Sequence, residues 1–147
     1  MTDLQARPLP DIVTALPGPK ARAHIEFDHA WTSPSLPRAY PIVPVRGLGC
    51  AIEDIDGNVF LDFAAGIAVN STGHSHPAIV KAIQEQAAEM DFAPPFQMGH
   101  PKAFELAERV AAIAPKGMNR VFFTNSGSES VETALKMAIA YHRVRGE

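Results

Sequence analysis

Strand-type and helix-type stretches alternate along this sequence of 147 residues, and that order predicts an α/β fold. "CAIEDIDGNVFLDF" (50–63) places two apolar runs either side of Asp56-Gly57-Asn58, the pattern of a β-hairpin with strands near 50–55 and 59–63. Two amphipathic helices follow, near 77–90 and 102–114. Finally "NRVFFTN" reads as a short strand that feeds directly into the helical "ESVETALKMAIAYHRVR".

Each element has a local cause. Pro77 suits the first turn of a helix, and Ile79, Val80, Ile83, Ala87 and Met90 fall on one stripe behind it. Pro94-Pro95 in "MDFAPPFQMGHP" interrupts the helical pattern. Ala103, Leu106, Ala107, Val110 and Ile113 form the next inward stripe, which Pro115 and Gly117 close. In the last helix Val131, Leu135, Ala138 and Ile139 share a face. Phe122 and Phe123 are expected in the core, in a strand whose paired neighbours this sequence does not contain. Ahead of all this, residues 1–45 hold eight of the thirteen prolines. Proline fixes φ and removes a donor, so this arm is expected to be extended, with little helix or central strand and with Trp31 and Tyr40 docking part of it.

Composition narrows the function. The length suffices for one modest domain with a real core. A net charge of -3 without a basic run gives no reason to expect nucleic acid. No stretch approaches the roughly 18 apolar residues of a membrane span, and the proline-broken start does not read as a signal peptide. Cys50 is the single cysteine, so a disulfide framework is excluded and a reducing cytoplasm is the expected location.

The chemistry concentrates in "FFTNSGSESVETALKMA" (122–138). Ser126 and Glu129 have the spacing of a capping box, which occurs at many helix starts with no ligand. The same turn also suits an anion. A helix N-terminus offers unpaired N–H groups and partial positive charge, Gly127 lets backbone approach closely, and Ser126 and Ser128 add donors. Under that reading Glu129 must turn back into the cap, away from the anion. There is no G-x-G-x-x-G, no Walker ending and no nucleophile elbow, so the anion is not read as one of their ligands. Upstream, "AAGIAVNSTGHSHP" (64–77) is a small-residue loop that lets backbone approach something closely.

"FLDFAAGIAVNSTGHSHP" (60–77) followed by "FFTNSGSESVETALKMA" resembles the class III aminotransferases, which depend on pyridoxal phosphate. The first stretch is most similar to 4-aminobutyrate aminotransferases, while "MDFAPPFQMGHP" (90–101) is more similar to β-alanine:pyruvate and other ω-amino acid transaminases. The resemblance runs from about Pro17 to the last residue. It implies the N-terminal part of a fold-type I pyridoxal-phosphate-dependent transferase. Residues 1–46 would be a proline-rich arm, 47–100 the N-terminal segment of the small domain, and 101–147 the beginning of the large cofactor-binding domain. It implies that Ser126, Gly127 and Ser128 bind the cofactor phosphate, that Ile67 is an apolar substrate contact, and that Phe96 lies near an aromatic pocket position. Ala68 stands where many ω-transaminases carry a tryptophan, a departure that bears on bulky amines.

The implied activity moves an amino group from an ω-amino acid such as 4-aminobutyrate or β-alanine to a 2-oxo acid, in a homodimer with sites at the subunit interface. The family's cofactor lysine, pyridine-pairing aspartate and ring-stacking aromatic fall beyond residue 147. The chain alone is therefore expected to be inactive, with Lys81, Lys102 and Lys136 solvated on helix faces and Lys116 at a helix end. Acetylornithine or ornithine aminotransferase, aminomutase, decarboxylase and racemase activities share these motifs. A plain phosphate-binding module is the non-enzymatic alternative. His74 and His76 lack the third ligand a zinc site needs, and Asp54, Asp56 and Asp62 read as turn formers and exposed-face residues.

Overall fold

The computed structural model describes residues 4–147. The chain divides into two units, Met1–Asp91 and Phe92–Glu147, each of which is described by itself.

The first unit is built on a three-stranded antiparallel sheet in the order β1-β2-β3, comprising β1 (Pro44–Leu48), β2 (Ala51–Asp54) and β3 (Val59–Leu61). The expected hairpin forms, with Ile52 opposite Phe60 and Glu53 opposite Val59. Gly57 turns it with a φ of +88°, a conformation that glycine adopts without a Cβ penalty. Asp11 bridges the open edge of β3, exchanging two 2.8 Å backbone hydrogen bonds with Val59.

The N-terminal stretch departs from the extended arm that its prolines predict. Helix α1 spans Pro19–Trp31. Pro19 occupies the first helical turn, where its missing N–H costs nothing, and the next proline is Pro34, so the intervening window is free to coil. Gly18 at the N-cap has no side chain to offer, and Asp56 in the hairpin turn caps the helix instead. Its carboxylate accepts from Lys20 N–H at 2.9 Å and Ala21 N–H at 2.7 Å. A Cβ at residue 18 would stand 2.3 Å from the Asp56 Cγ. Gly18→Ala is therefore expected to push the carboxylate off both amides and cost about 1–2 kcal/mol, read as a fall in melting temperature.

Burial in this unit is sparse and partly polar. Leu4, Ala51 and Val59 form the apolar cluster, with Leu9 and Leu48 packed against it, and Ala21 is also buried. Asp54 and Asn58 are buried as well, at 2% and 0% exposure, which corrects the placing of Asp54 on an exposed face. Asp54 does form the turn, accepting from the backbone of Asp56 and Asn58. Arg7 ties the N-terminal segment down through Asp11, Glu53 and the Gly57 carbonyl. Trp31 and Tyr40, expected to dock, are exposed.

A single turn, α2 (Ala65–Ala68), and helix α3 (Pro77–Glu89) complete the first unit. The second unit holds α4 (Pro101–Ile113) and α5 (Gly127–Arg145), both close to the expected bounds. His100 is the N-cap of α4, its Nδ1 accepting from Lys102 N–H at 3.2 Å. α5 ends on Gly146 in the left-handed conformation, with Arg143 and Arg145 in its last turn.

Two expectations fail here. Residues 119–124 form no strand, and Phe122 and Phe123 are exposed rather than core. A strand exists only through its hydrogen-bonded neighbours, and the described residues offer this run none. The stripes of α3, α4 and α5 keep their helical spacing, yet Ile83, Leu106, Leu135 and Ile139 are exposed, so the real core expected from length is confined to a few residues of the first unit. No helix among the described residues is long and apolar enough to cross a membrane.

Candidate functional site

The Ser126-Gly127-Ser128 turn opens α5, and its geometry meets the condition set for an anion cradle. Ser126 is the N-cap, and its Oγ accepts from Glu129 N–H at 3.2 Å. Glu129 folds back, its Oε2 accepting from Asn125 N–H at 2.8 Å, so the carboxylate is engaged on the chain side of the cap. That is the reciprocal capping box. The amides of Gly127 and Ser128, the first two of the helix, have no partner among the described residues. An open hollow of about 480 Å³ is lined by both residues together with Val131, Glu132 and Leu135. A Cβ at Gly127 would meet nothing within 4 Å, so the turn is open on that side.

Thr124 and Ser130, to which the sequence assigns no role, brace this turn. Their hydroxyls bond to each other, and both oxygens lie 3.1 Å from the Ser126 carbonyl, which accepts from whichever hydroxyl does not donate to its neighbour. The residues present thus fit a phosphate monoester: two free amides, the Ser128 hydroxyl and a helix N-terminus, with Glu129 held in its cap and Glu132, which lines the hollow, paired with Lys136 at 2.8 Å. Phe96, also in the second unit, is exposed outside any helix.

The small-residue loop of 64–77 belongs to the first unit and contains a turn of unusual backbone conformation. Ala65, Gly66, Ile67 and Ala68 all have positive φ, between 47° and 62°, so α2 is one turn of left-handed helix. Each non-glycine residue there carries a cost of roughly 1–2 kcal/mol. Ile67 projects from the turn, almost fully exposed. It lines a hollow of about 700 Å³ together with Arg38, Tyr40, Arg46, Asp62 and His74.

Asp62 and His74 hold the loop, which corrects the reading of Asp62 as an exposed-face residue. Asp62 Oδ1 accepts from Ala64 N–H at 2.9 Å and Ala65 N–H at 2.8 Å, and Oδ2 meets His74 Nε2 at 2.8 Å. The His74 bond first, and then the Ala65 amide, keep the Asp62 carboxyl below the ordinary carboxylate range against partial burial. A depressed folded-state value stabilises the fold above the unfolded pKa, and the contribution is lost as pH falls through the folded one. The sequence signal for this pair was an aspartate at the end of a strand and a histidine twelve residues on, a spacing that only the hairpin-loop geometry makes close.

Among the described residues no group of three His, Cys, Asp or Glu side chains could hold a metal. Lys81, Lys102 and Lys136 lie exposed on helices, beside Glu85, Glu105 and Glu132.

With that geometry in place, comparison with known proteins gives a consistent picture. The family profile "Aminotransferase class-III" matches residues 34–147. An omega-aminotransferase of Caulobacter vibrioides is 62% identical over 87 residues, 59% of this chain and 20% of the relative. An alanine/serine racemase of Pyrococcus horikoshii is 40% identical over 130 residues, 88% of this chain and 27% of the relative. Among solved structures, the adenosylmethionine-8-amino-7-oxononanoate aminotransferase of Methanocaldococcus jannaschii superposes with a TM-score of 0.77 at 30% identity, covering 86% of this chain and 30% of that one. The chain spans between a fifth and just over a quarter of the length of these two curated relatives.

Proposed function

Because this chain belongs to the class III aminotransferases, a family of pyridoxal-phosphate enzymes with the fold-type I architecture, we propose that it forms the N-terminal part of a transaminase acting on ω-amino acids. The protein moves the amino group of a donor such as 4-aminobutyrate or β-alanine onto a 2-oxo acid. It works as a cytoplasmic homodimer. One observation carries the reading: the free Gly127 and Ser128 amides at the start of α5, with Glu129 turned back from them. The name and 62% identity of the Caulobacter vibrioides relative support the ω-amino donor.

In this reading Ser126, Gly127 and Ser128 receive the cofactor phosphate. Bound pyridoxal phosphate supplies the electron sink for breaking bonds at the amine-bearing carbon. The residues of this chain bind and orient. The helix end and its two amides fix one end of the cofactor, Thr124 and Ser130 keep the turn rigid, and Glu129 stays in its cap. Ile67 offers an apolar contact to the methylene chain of the donor, and Phe96 contributes an aromatic wall.

A second reading has one specific support, the racemase matched over 88% of this chain. A product assay separates the two. The protein from the complete reading frame is expected to show a visible cofactor band that shifts on adding 4-aminobutyrate or β-alanine and returns on adding a 2-oxo acid, with one amino acid formed per donor consumed. Inversion of an amino acid without any 2-oxo acid requirement would establish the racemase instead. Absence of a visible band would leave the plain phosphate-binding module.

A further inference from the structure

The turn that carries Ile67 sits in a conformation its own residues oppose, so something beyond it must hold it there. Inside the turn the backbone supplies Ala68 N–H to Ala64 O at 2.9 Å and Asn70 N–H to Ala65 O at 2.8 Å. Ser71 Oγ donates to Ala68 O at 2.9 Å, and the remaining side-chain ties converge on His74. The imidazole Nε2 meets Asp62, whose other oxygen fixes the two amides at the entry to the turn. On the opposite side of the ring, Nδ1 lies 3.0 Å from the Asn70 amide at the exit from the turn. Either end of that amide satisfies the ring: its NH₂ donates to a neutral imidazole, or its oxygen accepts from a charged one while the NH₂ bonds Gly73 O at 3.0 Å.

His74 is itself anchored to the sheet. Its backbone exchanges two hydrogen bonds with Gly49, at 2.8 and 2.9 Å. Its ring lies so close over Gly47 that a Cβ there would stand 2.7 Å from the His74 Cγ. A Cβ on Gly73, whose φ is +85°, would stand 3.1 Å from the Gly49 Cα. One residue therefore connects the chain entering the strained turn and the chain leaving it, through its ring, and the end of β1, through its backbone.

We propose that His74, acting through Asp62 and Asn70, is a positioning residue for the amine-donor side of the site, holding the left-handed turn so that Ile67 faces the hollow it lines. The proposal rests on the reading of Ile67 as a substrate contact. A loosened turn swings Ile67 away from the donor's methylenes while leaving the reacting end of the donor untouched. The signature is therefore in donor binding more than in turnover.

The test uses the protein from the complete reading frame, loaded with pyridoxal phosphate. His74→Phe is expected to speed amide hydrogen exchange at Ala64 and Ala65 about tenfold or more. In the same variant KM for 4-aminobutyrate rises about tenfold while kcat changes less than about twofold. His74→Gln keeps an N–H donor for Asp62 and is expected to recover most of both effects. Should His74→Phe fail to fold, Asn70→Ala, which releases only the other ring nitrogen, must give the same two effects in smaller measure. Unchanged exchange and KM in a protein that keeps its cofactor band, or a His74→Gln variant as impaired as His74→Phe, would overturn the role of His74 alone. A wild-type protein with no cofactor band would overturn the transaminase reading and with it the substrate role of His74.

Discussion

Asn58→Leu is expected to lower the stability of the first unit by about 3 kcal/mol, read as a lower denaturant midpoint at unchanged slope. The side chain is fully buried and uses its whole hydrogen-bonding capacity. Oδ1 accepts from Val13 N–H at 2.8 Å and Thr14 N–H at 2.9 Å, and Nδ2 donates to Thr14 Oγ1 at 2.8 Å and Asp54 Oδ2 at 2.9 Å. Leucine matches the volume and removes all four bonds. The worst consequence falls on Asp54, a buried carboxylate that would lose one of the donors it depends on. Typical domains are stable by only about 5–15 kcal/mol, and here few buried apolar side chains are present to offset the loss. Asn58→Asp separates hydrogen bonding from charge. It keeps the shape and the two acceptances but sets a second carboxylate against Asp54. That loss should shrink as pH is lowered through the carboxylate range, since the folded state then holds the extra proton. A leucine variant as stable as the wild type would mean that water replaces the lost partners and the asparagine does not organise the turn.

The same residue illustrates what the sequence discloses. Asp56-Gly57-Asn58 was legible as a turn because glycine and Asx residues between apolar runs report local backbone geometry. That Asn58 also gathers Val13 and Thr14, and that Asp56 caps α1 from 35 residues away in the chain, are long-range facts with no local signature. α1 was hidden by proline counting. Averaged over 45 residues the prolines predict an extended chain, yet Pro19 sits where a helix tolerates it and the residues behind it carry none. The stripes of α3, α4 and α5 were correct as periodicity, which names the face a helix would bury and says nothing of what covers it. Val121-Phe122-Phe123 has strand composition, but strand structure belongs to pairs of segments and composition to one. For the site, the capping box was readable because its two residues are three apart on one helix end. The Asp62–His74 clasp was not, since it needs the loop of 64–73 to close in a left-handed turn that none but Gly66 and Gly73 would suggest.

Ser128→Asp should have opposite effects on the fold and on the cofactor. In the protein without cofactor, Ser128 occupies the second position of α5, and its hydroxyl has no partner among the described residues. A carboxylate in the first turn interacts favourably with the helix end, so stability is expected to hold or rise by about 0.3–1 kcal/mol. The same charge placed beside the Gly127 and Ser128 amides competes for them and repels an incoming phosphate dianion. A unit-charge repulsion near a protein surface is worth a few kcal/mol at about 4 Å, which corresponds to a loss in pyridoxal phosphate affinity of roughly 100-fold or more. Titration of the visible band measures the affinity and thermal unfolding of the cofactor-free protein measures the stability. Gly127→Ala is the companion variant. Its Cβ meets nothing within 4 Å in this structure and alanine is the better helix former, so any affinity it loses must come from a ligand that approaches the backbone closely. Two variants that stabilise the helix and weaken the cofactor together place the phosphate at residues 126–128. If both bind pyridoxal phosphate as the wild type does, the turn is a helix cap and nothing more, and the phosphate site lies elsewhere in the protein.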